Sequence, residues 1–383
     1  MNTENKKKNN EKYLQDIFYM KKTIKIAKNG IYTTHPNPNV GCIIVLNGKI
    51  VGTGWHKKKG GPHAEVYAIK MAGKLAKNST AYISLEPCIH HGETPPCCHL
   101  IVKSGIKRVV IAAIDPNPKV FGKGIKYLKK SGIDVSIGIL AQESEKINYG
   151  FFKRMVSGIP WIQVKIAISL DGKIAMNNGE SKWITGEQAR HDVHKFRAKN
   201  SAILSTSNTI LQDNPKLTVR YTDKIKNRNL YHIKFSPIKI ILDSKNRIQP
   251  IHNIIHKTTD PVWLIRLNKD HNIWPKHVKQ IIIQKYNNSI DLKKLLIFLG
   301  KKKINTLWVE CGANLFSNML NLGLIDELII YIAPKMLGHT AKSLFLDYKN
   351  IKLKKTPTLK IKKTIKIGSD IRITLEPSYK WKK

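Results

Sequence analysis

The sequence predicts a chain of two consecutive α/β domains, and three observations carry that reading. At 383 residues it is longer than one ordinary hydrophobic core supports. Short apolar, strand-like runs alternate with segments of helical periodicity on both sides of the stretch 148–160. Within that stretch FFKRMVSGIP ends one series of elements and leads into a new strand, WIQVKIAIS. The expected organisation is a disordered basic tail over 1–11, a first domain over 12–150, a linker over 151–160 and a second domain over 161–383.

In the first domain, apolar residues Leu14, Ile17, Phe18, Met20, Ile24 and Ala27 recur at helical spacing, so a helix over 13–28 is expected, stopped by Asn29-Gly30. GCIIVLNGKIVGTGW reads as two strands around Asn47-Gly48, a pair suited to the positive backbone angles of a tight hairpin turn. A helix over 63–74, a strand over 81–85, a short helix after Pro95-Pro96, a strand over 108–114, a helix near 124–130 and a strand over 133–137 follow. Two opening strands and then strict alternation predict a mostly parallel sheet covered on both faces.

The second domain alternates again. Helices are expected at 187–198 and 292–299 and after Gly312, with strands at 202–205, 238–243, 262–265, 281–284, 306–310 and 327–333 and a lysine-rich, strand-like end.

A formal net charge of +41 invites a nucleic-acid reading, but the lysines are spread over the whole chain among many Ile and Asn. That distribution is a compositional bias rather than a patch, so no dedicated nucleic-acid partner is expected, while anionic small molecules benefit from the field. The chain has no run of eighteen apolar residues, and MNTENKKKNNEKY lacks the apolar core of a secretory signal, so no membrane association and a cytoplasmic location are expected. Five cysteines, three of them in one short stretch, do not make a disulfide framework. Cys42 and Cys311, each alone, read as ordinary packed thiols.

The chemistry concentrates in GGPHAEVYAIKMAGKLAKNSTAYISLEPCIHHGETPPCC, residues 60–98. One histidine, His63, with cysteines after Pro87 and after Pro96 can supply three zinc ligands and leave a fourth position for water. His63 and Glu65 are two apart, so both can address one site only at an irregular helix start, which Gly60-Gly61-Pro62 provides. The two prolines before Cys97 similarly start a helix, where free N–H groups favour a thiolate. His90, His91 and Cys98 compete as ligands, and a closed site with four protein ligands stays open on the residues alone. His-x-Glu followed by Pro-Cys nevertheless fits hydrolytic base deamination, with Glu65 as the proton carrier.

These residues resemble the cytidine-deaminase superfamily. HPNPNVGCIIV (35–45), EPCIHHGETPPCC (86–98) and DPNPKVFGKG (115–124) are similar to the bifunctional riboflavin-biosynthesis deaminase/reductases, and the eight residues between Cys88 and Cys97 match that family's longer loop. The resemblance implies His63, Cys88 and Cys97 as zinc ligands and Glu65 as acid/base, with Cys98 outside the ligand set. Asn37, between two prolines, is either a contact to the substrate ring or ribose or a turn residue.

WIQVKIAISLDGKIA (161–175), GESKWITGEQARHDVHKFRA (179–198), ILSTSNTILQDNPKLTVR (203–220), ILDSKNRI (241–248), VECGANLF (309–316) and DELIIYIAPKMLG (326–338) resemble the reductase half of the same family; a stretch around 221–236 does not. The resemblance implies a cytidine-deaminase-like three-layer αβα domain followed by a dihydrofolate-reductase-like α/β domain. It further implies one zinc ion, NADPH, and pyrimidine ribose-phosphate substrates that are deaminated and then reduced. NADPH contacts carried over are Ala167, Trp183, Thr209, Asp213, Ser244 and the run Gly312, Ala313, Asn314, Leu315, Phe316 and Ser317. Substrate contacts are Ser181, Arg197, Leu217, Arg220 and Glu310. The residues themselves add that small side chains after the strand ending at Glu310 let backbone N–H groups approach a pyrophosphate, and that two arginines suit a phosphate dianion. Lys165 and Asp171 are candidates for the reductase proton donor, and a homo-oligomer is expected. The rival readings are a nucleic-acid base deaminase with an accessory domain and a zinc-stabilised nucleic-acid-binding module.

Overall fold

A computed structural model describes residues 3–90, 95–220, 236–286, 289–346 and 356–379. The chain divides into two compact units, Met1–Gly158 and Ile159–Lys383.

The first unit runs α1 (Thr3–Ala27), β1 (Gly41–Leu46), β2 (Lys49–Trp55), α2 (Ala64–Ala72), β3 (Thr80–Leu85), α3 (Cys97–Lys103), β4 (Arg108–Ala113), α4 (Lys123–Lys130), β5 (Asp134–Ile137), α5 (Ala141–Lys146) and α6 (Tyr149–Ser157). Asn47 and Gly48 both have positive φ, 47° and 73°, as the Asn-Gly hairpin requires. The sheet order is β2-β1-β3-β4-β5. β1 is antiparallel to both β2 and β3, and only β3, β4 and β5 are parallel, so the sheet is mixed rather than mostly parallel. The short Asn-Gly turn permits nothing but an antiparallel start.

Side chains alternate between the two faces, and each face is covered. Ile44, Ile83, Val109 and Ile111 pack with residues of α2, α3 and α4, whereas Ile43, Val45, Tyr82 and Val110 pack with Tyr19, Met20 and Ile24 of α1. These are the three layers of the expected αβα domain. Gly52 and Gly54, two apart on β2, let α2 lie directly on the strand: a Cβ at either would come within 2.2 Å of a carbonyl oxygen of α2, that of Ala68 or Ala64. That contact fixes the start of α2.

Two expectations fail at the ends of this unit. Residues 3–11 belong to α1 rather than to a disordered tail. They contain no Gly or Pro, and adding residues to a helix already nucleated and packed costs little. Residues 151–157 are part of α6 and not of a linker, because Phe151, Phe152 and Met155 lie at helical spacing and pack against Leu85 and Ala113. Gly158, at φ 74°, ends the helix.

The second unit comprises β6 (Trp161–Ser169), β7 (Lys173–Ala175), α7 (Glu187–Lys199), β8 (Ala202–Thr206), α8 (Ser207–Asp213), β9 (Ile238–Leu242), α9 (Asn253–His256), β10 (Val262–Arg266), β11 (Val278–Ile282), β12 (Lys285–Tyr286), β13 (Ser289–Ile290), α10 (Leu292–Lys301), β14 (Thr306–Glu310), α11 (Ala313–Asn321), β15 (Glu327–Ala333), β16 (Lys342–Ser343), β17 (Thr358–Ile367) and β18 (Asp370–Ser378). Nine strands form one sheet in the order β11-β10-β9-β8-β14-β6-β15-β18-β17. The strands from β11 to β15 are parallel, and β18 and β17 add an antiparallel edge. The stretch expected as a strand at 281–284 pairs three residues earlier, because Val278 aligns with Val262. The lysine-rich end is indeed a strand pair, and its outer member β17 is mostly exposed, a charged edge that resists pairing with other chains. The parallel strands of this sheet end on one side, where their loops build a cavity.

Candidate functional site

In the first unit, the extended backbone of His63 caps α2 (φ −73°, ψ 168°), and Glu65 follows inside the first turn. Cys88 lies in the loop after β3, and Cys97 opens α3 behind the extended Pro96. The ligand atoms of His63, Cys88 and Cys97 lie within 4.8 Å of one another. His63 Nδ1 is 3.2 Å from Cys97 Sγ and 3.5 Å from Cys88 Sγ, and the Cys97 N–H donates to Cys88 Sγ at 3.4 Å. Hydrogen bonding from Cys97 brings the Cys88 thiol down to about 4, while the same bond, with burial, pushes Cys97 up.

Cys98 points the other way, into the core, with its thiol on the Pro87 carbonyl at 3.3 Å. His90 is not in the triad, and His91 lies outside the described residues. Among the described residues three protein ligands come together, the number that an open zinc site uses.

Glu65 is 3% exposed, and its Oε2 has no hydrogen-bond partner among the described residues. Burial raises its pKa. An unpaired buried carboxylate oxygen costs free energy unless something at the site uses it. Two sulfurs and one imidazole nitrogen beside it are a donor set that fits zinc.

Sequence reading missed the supports of this site. His56 is buried and bridges Pro62 O, 3.1 Å from Nδ1, and Asn37 Nδ2, 3.1 Å from Nε2. The Nδ1–H must face the carbonyl, so Nε2 accepts from the carboxamide and orients Asn37. Glu86 accepts from the N–H groups of Asp115, Gly122 and Ile125 and so ties down the loop of the 115–124 motif. Burial pushes Asp115 up to about 7.

In the second unit a cavity of about 950 Å³ opens at the C-terminal ends of the parallel strands. Ala167, Trp183, Thr209, Asp213, Ser244, Gly312, Ala313, Asn314 and Leu315 line it, together with Ser181, Arg197, Leu217, Arg220, Glu310 and Lys165. Phe316 and Ser317 do not: Phe316 is fully buried in the core, and Ser317 Oγ accepts from the Leu346 N–H at 3.2 Å. Asp171 is also off the cavity wall, where it accepts from Leu337 N at 3.1 Å and Gly338 N at 2.8 Å and holds a turn.

Arg197 is not a free phosphate ligand. Its Nε and Nη2 donate to the two oxygens of Glu310 at 2.5 and 2.8 Å, and Nη1 donates to Thr218 O at 3.1 Å. Burial alone would raise Glu310, but the Arg197 charge and its hydrogen bonds hold the carboxyl at about 2. Lys165, paired in register with Glu310 across β6 and β14, has its pKa lowered by burial. Arg220 is exposed and meets His194 through both backbone and side chain, at 3.1 and 3.2 Å. At the start of α11, a Cβ on Gly312 would meet no protein atom within 4 Å. The space beside that backbone is thus available to a ligand, which is the opening a dinucleotide pyrophosphate needs.

A zinc-type hydrolytic deaminase unit, joined in one chain to a reductase-type unit with an anion-ready cavity, is the class of protein that fold and sites define. Residues 14–113 match the cytidine and deoxycytidylate deaminase zinc-binding region, and residues 160–373 match the RibD C-terminal domain. The riboflavin biosynthesis protein RibD of Buchnera aphidicola is 55% identical over 367 residues, covering 94% of this chain and 98% of that protein. That of Escherichia coli is 46% identical over 365 residues, covering 94% and 99%. Among solved structures, Acinetobacter baumannii RibD is similar with a TM-score of 0.87 at 39% identity, covering 96% of this chain and 100% of that one. A Thermotoga maritima diaminohydroxyphosphoribosylaminopyrimidine deaminase/5-amino-6-(5-phosphoribosylamino)uracil reductase gives a TM-score of 0.83 at 32% identity, covering 96% and 99%. The chain belongs to the RibD family of bifunctional deaminase/reductases of riboflavin biosynthesis.

Proposed function

We propose that the two units act in sequence on one phosphorylated pyrimidine. The first removes an amino group from 2,5-diamino-6-ribosylamino-4(3H)-pyrimidinone 5′-phosphate, and the second reduces the ribosyl group of the resulting 5-amino-6-(5-phosphoribosylamino)uracil with NADPH. The observation that carries the reading is the unpartnered Oε2 of Glu65 beside the His63, Cys88 and Cys97 triad.

His63, Cys88 and Cys97 would hold the zinc. When bound, zinc supplies Lewis acidity that lowers the pKa of a water molecule toward ~7. Glu65 would accept the first proton the water loses and deliver it to the ring nitrogen, then take the second from the hydroxyl on the ring carbon and deliver it to the amino group that leaves as ammonia. Burial raises its pKa, which favours holding a proton between the two transfers. Asn37, oriented by His56, faces the substrate.

In the second unit NADPH, when bound, supplies a hydride to the aldehyde carbon of the opened ribose. Gly312 and its neighbours at the start of α11 receive the pyrophosphate, and Trp183, Thr209, Asp213 and Ser244 complete the cofactor side. Ser181, Leu217 and Arg220 contact the substrate. Arg197 and Glu310 act as a fixed, mutually neutralised wall, and of the two arginines among the substrate contacts Arg220 is the one left to meet the phosphate. A homo-oligomer in the cytoplasm is part of the reading; light scattering on the purified protein tests the first point.

Incubating the protein with the diamino-pyrimidinone phosphate, with and without NADPH, tests the whole scheme. Mass spectrometry should find the deaminated product alone without NADPH and the ribityl product with it. Recovery of unchanged substrate in both reactions would overturn it.

A further inference from the structure

His194 is buried on α7 in the wall of the second cavity, and the proposed reactions give it no task. It lies three residues before Arg197, so the two side chains leave the helix on one face. Both grip the same stretch of main chain. Arg197 Nη1 donates to Thr218 O at 3.1 Å, and His194 Nδ1 accepts the Arg220 N–H at 3.1 Å. The Arg220 side chain therefore starts from a backbone that α7 holds in place.

That bond also places the proton of the ring. Burial first, and then the charges of Arg197 and Arg220, bring the His194 pKa down to about 4, so the imidazole is neutral near neutral pH and carries one proton. A main-chain N–H can only donate, so Nδ1 is the bare nitrogen and Nε2 holds the proton. Nε2 nevertheless lies 3.2 Å from Arg220 Nη2, which is a donor as well. Two donors do not bond to each other; side by side they serve one acceptor in common. Among the described residues no carboxylate forms an ion pair with Arg220, so its charge is uncompensated, and a phosphate oxygen is the acceptor that suits such a pair.

We propose that His194 is a specificity-determining residue of the second unit: its Nδ1 fixes Arg220 at the cavity wall, and its Nε2–H joins the Arg220 guanidinium on one oxygen of the substrate phosphate. The inference rests on the reading that gives this phosphate to Arg220. A second free cation could not do the same work, because it has no acceptor for the main chain. The neutral ring has both, an acceptor facing the backbone and a donor facing the cavity. Arg197, the other side chain on this face of α7, is occupied by Glu310 and leaves the donor role to His194.

NADPH consumption by the full-length protein, measured with 5-amino-6-(5-phosphoribosylamino)uracil and with the same compound lacking its phosphate, tests this. His194→Ala should raise KM for the phosphorylated compound by about 10- to 100-fold, the loss of one hydrogen bond to a charged group, with kcat changed by less than about threefold. KM for the phosphate-free compound, and NADPH affinity by titration, should each change by less than about twofold. An isosteric pair covers the case in which the alanine variant misfolds. His194→Gln keeps one acceptor and one donor and should recover most of the loss, whereas His194→Glu keeps the acceptor without the donor and should bind the phosphorylated compound at least as poorly as alanine. An equal rise in KM for both compounds, no rise for either, or a glutamine no better than a glutamate would overturn the proposal and leave Arg220 at the phosphate. A parent protein that treats the two compounds alike would remove the phosphate from Arg220, and this inference with it.

Discussion

Replacing Glu310 by alanine strips the buried partner from Arg197 and, among the described residues, leaves its guanidinium the Thr218 carbonyl and no opposing carboxylate. The magnitude can be reached in two ways. Arg197 and Glu310 side chains are each 13% exposed, and removing one member of a buried, bidentate pair costs about 3–5 kcal/mol. Independently, the carboxyl stands at about 2 in the folded chain against an ordinary 4.5, and that difference is worth ~3 kcal/mol at neutral pH. The folded value is the depressed one, so the stabilisation is fully present above the ordinary value, declines as pH falls below it, and is gone below about 2.

Urea denaturation of parent and Glu310→Ala, followed by tryptophan fluorescence, reads the effect directly, because Trp308 Nε1 donates to Glu310 Oε1 at 2.9 Å. At pH 7 the variant should lose about 3 kcal/mol, and the gap should narrow steadily below pH 4. The double variant Arg197→Ala/Glu310→Ala should lose less than the sum of the singles. A loss under ~1 kcal/mol, or a gap that does not respond to acid, would refute the buried pair as the organiser of this wall.

Two further substitutions probe how each site is built. Gly312 has φ −83°, which any residue adopts, so Gly312→Val should fold normally yet weaken NADPH by more than tenfold, its side chain filling the space a pyrophosphate needs; unchanged affinity in titration would move the pyrophosphate elsewhere. Gly54→Ala drives a Cβ to within 2.2 Å of the Ala64 carbonyl and should destabilise the first unit by about 1–3 kcal/mol and displace the start of α2, seen as a lower melting midpoint with weaker zinc retention; a midpoint equal to the parent's would contradict the close strand-to-helix contact.

The zinc triad was legible because its geometry is local: Gly60-Gly61-Pro62 and Pro95-Pro96 announce helix starts, and helix starts are what bring His63, Glu65 and Cys97 to one place. Cys98 could be set aside only through the resemblance, and the structure supplies the physical reason, a thiol turned into the core. What the sequence hid was long-range or two-faced. Arg197 and Glu310 are 113 residues apart, so nothing in either segment says that they neutralise each other. The run from Gly312 to Ser317 looked like one cofactor segment, but it opens a helix, and successive helical residues cannot all face one ligand; Phe316 and Ser317 turn inward. The polar start of α1 was misjudged because composition reports what a segment cannot bury, whereas a helix nucleated further along needs only compatible residues to extend. His56 carried no motif at all, and its role as the holder of Asn37 emerged from two hydrogen bonds.

The account turns on Glu65 as the proton carrier of the first unit, and Glu65→Gln tests it most directly. The variant should keep its zinc by metal analysis and lose ammonia release from the diamino-pyrimidinone phosphate by at least about 100-fold, while still oxidising NADPH with the deaminated substrate. Ammonia release at the parental rate from a zinc-loaded Glu65→Gln protein would contradict it.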